Sequence, residues 1–278
     1  MDIALCMLDG KRYDVSSFSK LKPIQLDRLR RSLVCKECRG KGYYRKESRD
    51  GKPACFGAYH KDNCRYKSQG SAPLIDPITS EEVNKIITNN DTIDVDFTID
   101  NTTKLNRTSH DSTTVNRTYS VNTSQQHTKQ PSQKRHCKKG LGSLLRMLMH
   151  SDSFAGSDIK INTGWEYSYK AKNLFVNFND INKELINNKK MRGYWGVISH
   201  ADDELSWLNT ANQQDVSIPI SEFKDNLINT FKINHAEDLA GSAVLVFGWL
   251  DISKSDKQKW YIKANKSCPA SIFINLKR

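Results

Sequence analysis

Hydrophobic and polar positions along the chain follow different patterns in three zones. Within residues 1–70, "IALCML" predicts a strand, "DGKRYDV" a turn into a second short strand, and "IQLDRLRRSL" a basic helix. Residues 71–157 are rich in Asn, Thr, Ser and Gln and follow neither the helical nor the strand period. Because such a segment buries too little apolar surface to offset its ordering entropy, we predict a flexible, disordered linker there.

The end of this predicted linker differs from the rest of it. "LGSLLRMLMH" predicts a short helix, and the basic tract "KRHCKKG" precedes it. Such a basic and then apolar element is typical of a partner peptide or of a helix that packs on the following domain.

Residues 158–278 carry all five tryptophans and the clearest order of elements. "GYWGVISHA", "ELSWLNTA" and "DVSIPI" predict three strands. Phe223, Leu227 and Phe231 then stand at i, i+4 and i+8, which predicts an amphipathic helix with Ser221 as its N-cap. "GSAVLVFGWLDI", "KWYIKAN" and "ASIFINL" predict further strands.

This order of three strands, a helix and two or more strands resembles that of an OB-fold over about residues 190–278. The resemblance implies a small, partly open barrel with a face that binds oligonucleotides. Stacking rings would lie on its second and third strands and in the flanking loops, which favours Trp207, with Tyr194 and Trp260 as further candidates. Lys259 and Lys263 would follow the nucleic-acid backbone.

Charge and targeting signals narrow the class of protein. The net charge is +12, and residues 1–70 hold 17 Lys and Arg against 8 Asp and Glu. Such a concentration of positive charge favours a polyanionic partner, most simply nucleic acid. The chain begins without a basic lead followed by an apolar run, and no stretch approaches about 18 consecutive apolar residues. We therefore expect a cytoplasmic protein with no membrane contact, in a compartment where clustered cysteines are metal ligands more often than disulfides.

Four of the seven cysteines lie in "CKECRGKGYYRKESRDGKPACFGAYHKDNC". Cys35 and Cys38 form a C-x2-C knuckle, and a tetrahedral Zn²⁺ site needs two further ligands. We favour Cys35, Cys38, His60 and Cys64, because H-x3-C is a compact second half of a structural site. Cys55 would then be a small buried thiol beside Phe56. The alternative ligand set replaces His60 with Cys55.

The amino-terminal third also resembles the zinc-finger region of CoiA-like competence proteins. The similar features are "IALCMLDGKRYDV", the "CKEC" knuckle and the closing "FGAYHKDNC", within residues 3–64. In that family the finger precedes a nuclease-like domain, which is replaced here by the predicted linker and barrel. The resemblance therefore implies a zinc module in a protein that handles DNA and does not carry the nuclease activity over.

Basic residues surround the cysteines and are interleaved with aromatic rings, of which we expect Phe56 and one of Tyr43 and Tyr44 to be core. Cations neutralise phosphates, and exposed rings stack on bases. The complete set of predicted nucleic-acid-binding residues is Lys41, Arg45, Lys46, Arg49, Lys52, Arg65, Trp207, Trp260, Lys259 and Lys263.

These patterns predict an α+β chain of two modules. A basic zinc-finger domain covers residues 1–70, the linker residues 71–157, and an OB-like β-barrel domain residues 158–278. We expect a non-catalytic nucleic-acid-binding protein, most simply for single-stranded DNA, that acts as an accessory factor in replication, recombination, a mobile element or defence. One alternative is an adaptor whose barrel docks on an enzyme while the finger touches DNA. The other is a metal-dependent nuclease that uses His200 and Asp203 of "HADDE", a stretch which a solvated turn between two strands also explains.

Overall fold

The structure, a computed structural model, describes residues 1, 3–47, 51, 53–61, 64–66, 80–98, 135–165, 168–187, 189–212, 215–253, 259–268 and 270–276. These residues form three packed parts, which we call the amino-terminal module, the middle layer and the barrel. Within the described ranges, no helix combines the length and the apolar character needed to cross a membrane.

The amino-terminal module covers the described residues up to Tyr66. Its elements are β1 (Ile3–Cys6), β2 (Arg12–Asp14), α1 (Val15–Ser19), α2 (Pro23–Leu29), β3 (Leu33–Cys35), β4 (Gly42–Arg45) and β5 (Cys55–Ala58). Strand β1 lies between β2 and β3, and β4 pairs with β5 in a separate hairpin. The strand, turn, strand and basic helix predicted from the sequence are confirmed.

An aromatic core holds this module together. Phe18, Tyr44 and Phe56 are buried, with ring centroids 5.1 to 5.7 Å apart in tilted and edge-to-face arrangements. Such pairs add about 0.5–1.5 kcal/mol each beyond the area that they bury. Phe56 is core as predicted, and both Tyr43 and Tyr44 are buried rather than one of them.

The middle layer is built from residues 80–98 and 135–174. Its elements are α3 (Ser80–Asn89), β6 (Thr92–Asp96), β7 (His136–Gly140), α4 (Leu141–His150), α5 (Asp152–Ala155), β8 (Lys160–Asn162), β9 (Ser168–Lys170) and α6 (Ala171–Leu174). Strands β7 and β8 flank β6 in parallel, and β9 closes the sheet next to β8.

This layer differs from the linker predicted over residues 71–157. Ile93 and Ile161 are fully buried on neighbouring strands, and α4 buries Leu144 and Leu148 in the same cluster. The helix predicted for "LGSLLRMLMH" is therefore confirmed, and it packs on the barrel strands that follow. Residues 99–134, the centre of the predicted linker, lie outside the described residues.

The barrel is formed by five strands. After β10 (Phe175–Asn177) and α7 (Lys183–Asn187), its elements are β11 (Arg192–Ala201), β12 (Trp207–Thr210), β13 (Ser217–Pro219), α8 (Lys224–Phe231), β14 (Ala243–Ile252) and β15 (Trp260–Ala264), followed by β16 (Ile272–Asn275). The order β11-β12-β13-β15-β14 closes on itself because β14 also pairs with β11. Only the β13–β15 pairing within the ring is parallel.

Strand alternation separates the inside of the barrel from its outside. Leu208, Ile218, Val246 and Ile262 point into one buried cluster. On β14 the alternate residues, among them Phe247, instead pack against the middle layer. The barrel strands predicted from the sequence are thus all present, and so is the intervening helix.

The predicted start of the helix is wrong. Residues 221–223 form a 3-10 turn, and α8 begins at Lys224 with no side-chain cap. The Ser221 hydroxyl instead points to the carbonyl of Ser206, 3.4 Å away. Leu227 is buried, and Phe223 and Phe231 pack at the margin of the same cluster, as the spacing predicts.

Candidate metal centre and nucleic-acid interface

Four side chains meet at one end of the amino-terminal module. The donor atoms of Cys35, Cys38, His60 and Cys64 all lie within 4.8 Å of one another. The Cys35 and Cys64 sulfurs are 3.8 Å apart, and His60 Nδ1 lies 3.6 Å from Cys38 Sγ and 3.3 Å from Cys64 Sγ. For a tetrahedron with Zn–S near 2.3 Å and Zn–N near 2.0 Å, donor separations of about 3.5–3.8 Å are expected. These four residues, the metal cluster, are close enough to hold a metal ion and are compatible with zinc.

The loop between the first two ligands has the backbone that such a knuckle needs. The Glu37 N–H donates to Cys35 Sγ and the Gly40 N–H to Cys38 Sγ, at 3.5 and 3.4 Å. Arg39 takes a left-handed conformation, with φ of 58°. A Cβ on Gly40 would lie 2.0 Å from the Tyr59 carbonyl oxygen, so only glycine fits where the two ligand segments meet. This loop aims two sulfurs at one point.

The pKa values of two thiols in the cluster are shifted in opposite directions. Burial, followed by hydrogen bonds with Cys38 and Cys35, raises the pKa of the Cys64 thiol to about 11. Burial also acts to raise the pKa of Cys38, but backbone N–H groups at Lys61 and Gly40 outweigh it and lower that pKa. Because a metal binds thiolates, its entry would release protons from the cluster.

Cys55 does not belong to the metal cluster, and the prediction of a buried thiol at this position is wrong. Strand β5 points Phe56 and Ala58 into the module, so Cys55 faces outward and is exposed. The alternative ligand set that included Cys55 in place of His60 is therefore not assembled. Neighbouring residues of a strand face opposite sides, so the prediction that Phe56 is core already implied an outward-facing Cys55 in "CFGA".

The amino-terminal module contacts the barrel through charged and aromatic side chains. Arg31 Nη2 donates to Asn209 Oδ1 at 3.0 Å, and its Nη1 lies 2.6 Å from an Asp215 carboxylate oxygen. Tyr59, next to ligand His60, donates to the Gly241 carbonyl at 2.5 Å. Gly241 has a φ of +80°, and a Cβ there would lie 2.5 Å from the Tyr43 ring. The metal cluster is thus linked by short contacts to the corner before β14.

The predicted nucleic-acid-binding cations fall into two groups in the amino-terminal module. Lys41 and Arg45 face the rest of the protein: burial lowers the pKa of Lys41 to about 8, and Arg45 Nη2 donates to the Ala240 carbonyl at 3.2 Å. Lys46 is exposed, as is Arg65, which lies 3.2 Å from Glu37. Arg49 and Lys52 lie outside the described residues.

On the barrel, a row of aromatic and basic side chains points outward. Trp207 is 39% exposed on β12, whereas Tyr194 is fully buried in the barrel core and Trp260 packs at its margin. Trp249 pairs with Lys263 across β14 and β15. We call Trp207, Trp249, Tyr261 and Lys263 the outer face.

Register places these four residues on the outside of the barrel, on strands β12, β14 and β15. Leu250 and Ile262 point inward, so the neighbouring Trp249, Tyr261 and Lys263 point outward. Strand β13 lies between the strand of Trp207 and the strand of Tyr261. Its Pro219 pairs with Trp207, and its Ser217 pairs with Tyr261. Trp249 and Tyr261 were not predicted as binding residues from the sequence. Each stands next to an apolar residue, Leu250 or Ile262, so the alternation of a strand could have indicated that they point outward.

A cleft of about 1080 Å³ opens between the amino-terminal module and the barrel. Helix α2 and Lys46 form one wall, and His200, Asp202, Asp203 and Lys259 form part of the other. The cleft has a mixed charge, because acidic and basic side chains line it in similar number.

The "HADDE" stretch forms a turn between β11 and β12, as predicted. One carboxylate oxygen of Asp202 accepts hydrogen bonds from the backbone N–H groups of Ser206 and Trp207, at 2.8 and 2.6 Å. Asp203 is exposed. Within the described part of the chain, these side chains do not join His200 in a group that could hold a metal ion.

His200 has an environment that makes its protonation costly. Burial, followed by the positive charges of Arg30, Arg31 and Lys259, lowers its pKa to about 2 from an ordinary 6.5. The unfolded chain therefore binds one more proton than the folded chain between about pH 2 and pH 6.5. Stability is fully present above pH 6.5 and falls as the pH drops below it, by up to about 1.4 kcal/mol per pH unit from this group.

We expect His200→Gln to flatten this slope. The measurement is the free energy of unfolding in urea between about pH 7 and pH 5, for both proteins. The variant should lose less stability than the natural chain over that interval. Equal losses in the two proteins would show that the pKa of His200 is the same in the folded and in the unfolded chain.

Comparisons with protein-family models, curated proteins and solved structures found no match for this chain. They therefore give no support to the resemblances to CoiA-like competence proteins and to the OB-fold.

Proposed function

We propose that this chain is a non-catalytic nucleic-acid-binding protein with a zinc-stabilised amino-terminal module and an OB-type barrel that holds single-stranded DNA. Such a protein would serve replication, recombination, a mobile element or a defence system as an accessory factor. The single observation that carries the proposal is the outer face, where the exposed Trp207, the half-buried Trp249 and Tyr261, and the exposed Lys263 all point outward from a closed barrel.

The metal cluster supports zinc as the resident ion. Three sulfurs and one imidazole nitrogen are a soft donor set that suits Zn²⁺ and not Mg²⁺ or Ca²⁺. Four protein donors fill a tetrahedron and leave no open position, which is the arrangement of a structural site rather than a catalytic one. Zinc bound there would fix the positions of the Cys35–Cys38 knuckle and of the segment that contains Tyr59.

The barrel supports the OB-type assignment through its connectivity. Its order β11-β12-β13-β15-β14, with α8 between the third and fourth strands, matches the order in which the sequence resembles an OB-fold. In that architecture the face formed by the second and third strands and the adjoining loops binds oligonucleotides. Trp207 lies on the second strand here, and Lys259 follows the loop between the fourth and fifth strands.

The outer face has the chemistry that single strands require. Unpaired bases expose their π-faces, and stacking on an aromatic ring contributes about 1–3 kcal/mol per base. Trp207, Trp249 and Tyr261 offer such rings, and Lys263 supplies a positive charge beside them for a phosphate. A duplex hides its base faces, so this arrangement favours single strands over duplex DNA.

Lysine and arginine side chains outside this face would provide further contacts to the phosphates of a bound strand. Lys259 and Lys46 line the cleft beside the barrel, and Arg65 is exposed beyond the metal cluster. Two weakly binding surfaces on one chain reinforce one another, because the second contact becomes intramolecular.

A salt titration of the full chain tests the proposal. A labelled oligothymidine should bind more tightly than a duplex of the same length, and its log affinity should fall linearly with log salt. Three to five phosphate contacts predict a slope of about −2 to −3.5 for a single strand. No binding in dilute buffer, or an equal preference for duplex, would contradict the proposal and favour a barrel that docks on another protein.

A further inference from the structure

Exposed apolar side chains gather in the amino-terminal module, beside the cleft. Among the described residues, the large apolar side chains that are exposed are Met7, Leu8, Ile24 and Trp207, and the first three belong to this module. Leu8 and Ile24 line the cleft. Other apolar residues of the module line it next to them, and we call the whole set the apolar wall: Leu8, Leu21, Pro23, Ile24 and Leu26.

Ile24 lies outside the packing of the module. It is 85% exposed at the start of α2, and it belongs to none of the hydrophobic clusters formed by the described residues. Leu26 and Leu29 of the same helix instead pack at the margin of the aromatic core. Exposed apolar surface of this kind marks interaction sites, because a partner that covers it removes it from water. The apolar wall therefore fits the apolar part of a ligand.

Positive charge accompanies the apolar wall. Residues 20–31 hold five Lys and Arg against one acid, Asp27. Arg28 and Lys46 line the cleft from the module, and both are exposed. Within the described part of the chain, neither lies within ion-pair distance of a carboxylate. A ligand that brings carboxylates to this side of the cleft would pair with them.

The acidic side chains of the cleft do not cancel this charge. Four of the five that line it already have a cation or a backbone N–H group near them, namely Asp27, Asp202, Asp215 and Glu237. Asp203, on the barrel side, is the fifth. Against it stand Arg28, Lys46 and Lys259, so the charges of the cleft that remain without a partner among the described residues are mainly positive.

The chemistry of the lining favours a peptide over a nucleic acid. Among the described residues that line the cleft, Tyr44 is the one Phe, Tyr or Trp, and it is buried in the core of the module. Bases bind by stacking on exposed rings, whereas aliphatic side chains pack against the aliphatic anchors of a peptide. The volume of about 1080 Å³ is at the upper end of the roughly 300–1,000 Å³ of pockets for drug-sized ligands, so a short peptide segment fits.

We propose that the cleft is a docking site for a short acidic segment of a partner protein. Leu, Ile or Val side chains of that segment pack on the apolar wall, and its carboxylates face Arg28 and Lys46. This site is separate from the outer face and goes beyond the proposed binding of single strands. One chain would thus hold a partner protein and a single strand at the same time.

Selection of random displayed peptides on the full chain tests the docking site. The enriched sequences should combine Asp or Glu with Leu, Ile or Val, and a labelled synthetic copy of one of them then serves as the probe. Ile24→Ser should weaken binding of this peptide about tenfold or more, because an aliphatic side chain is no longer covered. The variant should fold as the natural chain does, since Ile24 is 85% exposed.

Charge variants test the other half of the site. The Arg28→Met, Lys46→Met double variant should weaken the peptide about 2- to 30-fold, because each exposed ion pair contributes little. Lys85→Met is the matched control, because it removes the same charge from an exposed position on α3 and should bind the peptide as the natural chain does. Trp207→Ala should keep the peptide and lose oligothymidine, whereas Ile24→Ser should do the reverse.

The failures are distinct from those of the proposed function. No enriched peptide, enrichment of basic sequences, or a peptide that binds Ile24→Ser as tightly as the natural chain would overturn the docking site. So would oligothymidine that displaces the peptide and is weakened by Ile24→Ser, because the cleft would then belong to the nucleic-acid path. A chain that binds the peptide but not oligothymidine would support the docking site and contradict the proposed function.

Discussion

Replacing Cys38 with serine should remove the bound metal ion and unfold the amino-terminal module. Cys38 is one of four donor residues that lie close enough together to hold a metal ion, and a serine hydroxyl is a far poorer zinc ligand than a thiolate. Apparent free energies of zinc binding in finger peptides are about 10–16 kcal/mol, more than the stability of most domains. Elemental analysis should give about one zinc per natural chain and almost none per variant.

Cys55→Ser is the matched control for this experiment. Cys55 lies in the same module but is exposed and outside the metal cluster, so this variant should keep its zinc and its melting temperature. Limited proteolysis should cut the Cys38→Ser protein within the first 66 residues and leave Cys55→Ser intact there. Zinc retained in Cys38→Ser, or lost equally in Cys55→Ser, would contradict the ligand assignment.

Removing the rings of the outer face should abolish most of the affinity for single-stranded DNA. At about 1–3 kcal/mol for each stacked base, Trp207→Ala should weaken binding about 5- to 150-fold, and adding Trp249→Ala should weaken it further. The barrel should remain folded, because Trp207 is 39% exposed and contributes little to the core. Fluorescence anisotropy with a labelled oligothymidine measures the loss.

Two further variants separate stacking from charge. Trp207→Phe keeps a ring and should retain most of the affinity, with the same dependence on salt. Lys263→Met should weaken binding and reduce the salt slope by about one phosphate contact. If the Trp207→Ala, Trp249→Ala double variant bound single-stranded DNA as tightly as the natural chain, the outer face would not be the binding surface.

Strand alternation made the barrel predictable from the sequence. Its longest strands, β11 and β14, have 10 residues each and are rich in apolar residues, and the spacing of Phe223, Leu227 and Phe231 identified the helix between them. The residues of the metal cluster were predictable for a different reason. A C-x2-C knuckle and H-x3-C are local patterns, and the structure brings the four favoured residues together.

The sheet of the middle layer could not be predicted, because its strands are ordered by pairing with residues that are distant in the sequence. Strand β7, "HCKKG", has no strand pattern of its own, and it is ordered by lying parallel to β6, which precedes it by about 40 residues. This pairing neutralises part of the positive charge of the basic tract, since Lys138 Nζ lies 3.0 Å from an Asp96 carboxylate oxygen. A net charge counted along the sequence does not detect such pairing.

The contacts between the parts of the protein could not be predicted from the sequence either. Arg31 belongs to a basic helix in the sequence, and nothing near it indicates that it would bind Asn209 and Asp215, more than 170 residues away. Lys41 has basic neighbours in the sequence, and the structure places it in a small pocket beside Tyr59 and Trp195, which no local pattern indicated. The sequence gives the chemical type of a side chain, whereas the packing of the modules decides whether that side chain lies at an internal contact or on the outer surface.

Hydrogen exchange of the full chain, with and without oligothymidine, tests the central claim most directly. If the outer face holds a single strand, amides of β12 and β15 and of the turn before Trp207 should exchange more slowly in the complex, while those of β6 to β9 should not change. Protection confined to the amino-terminal module or to the middle layer, with none on β12 and β15, would contradict the account.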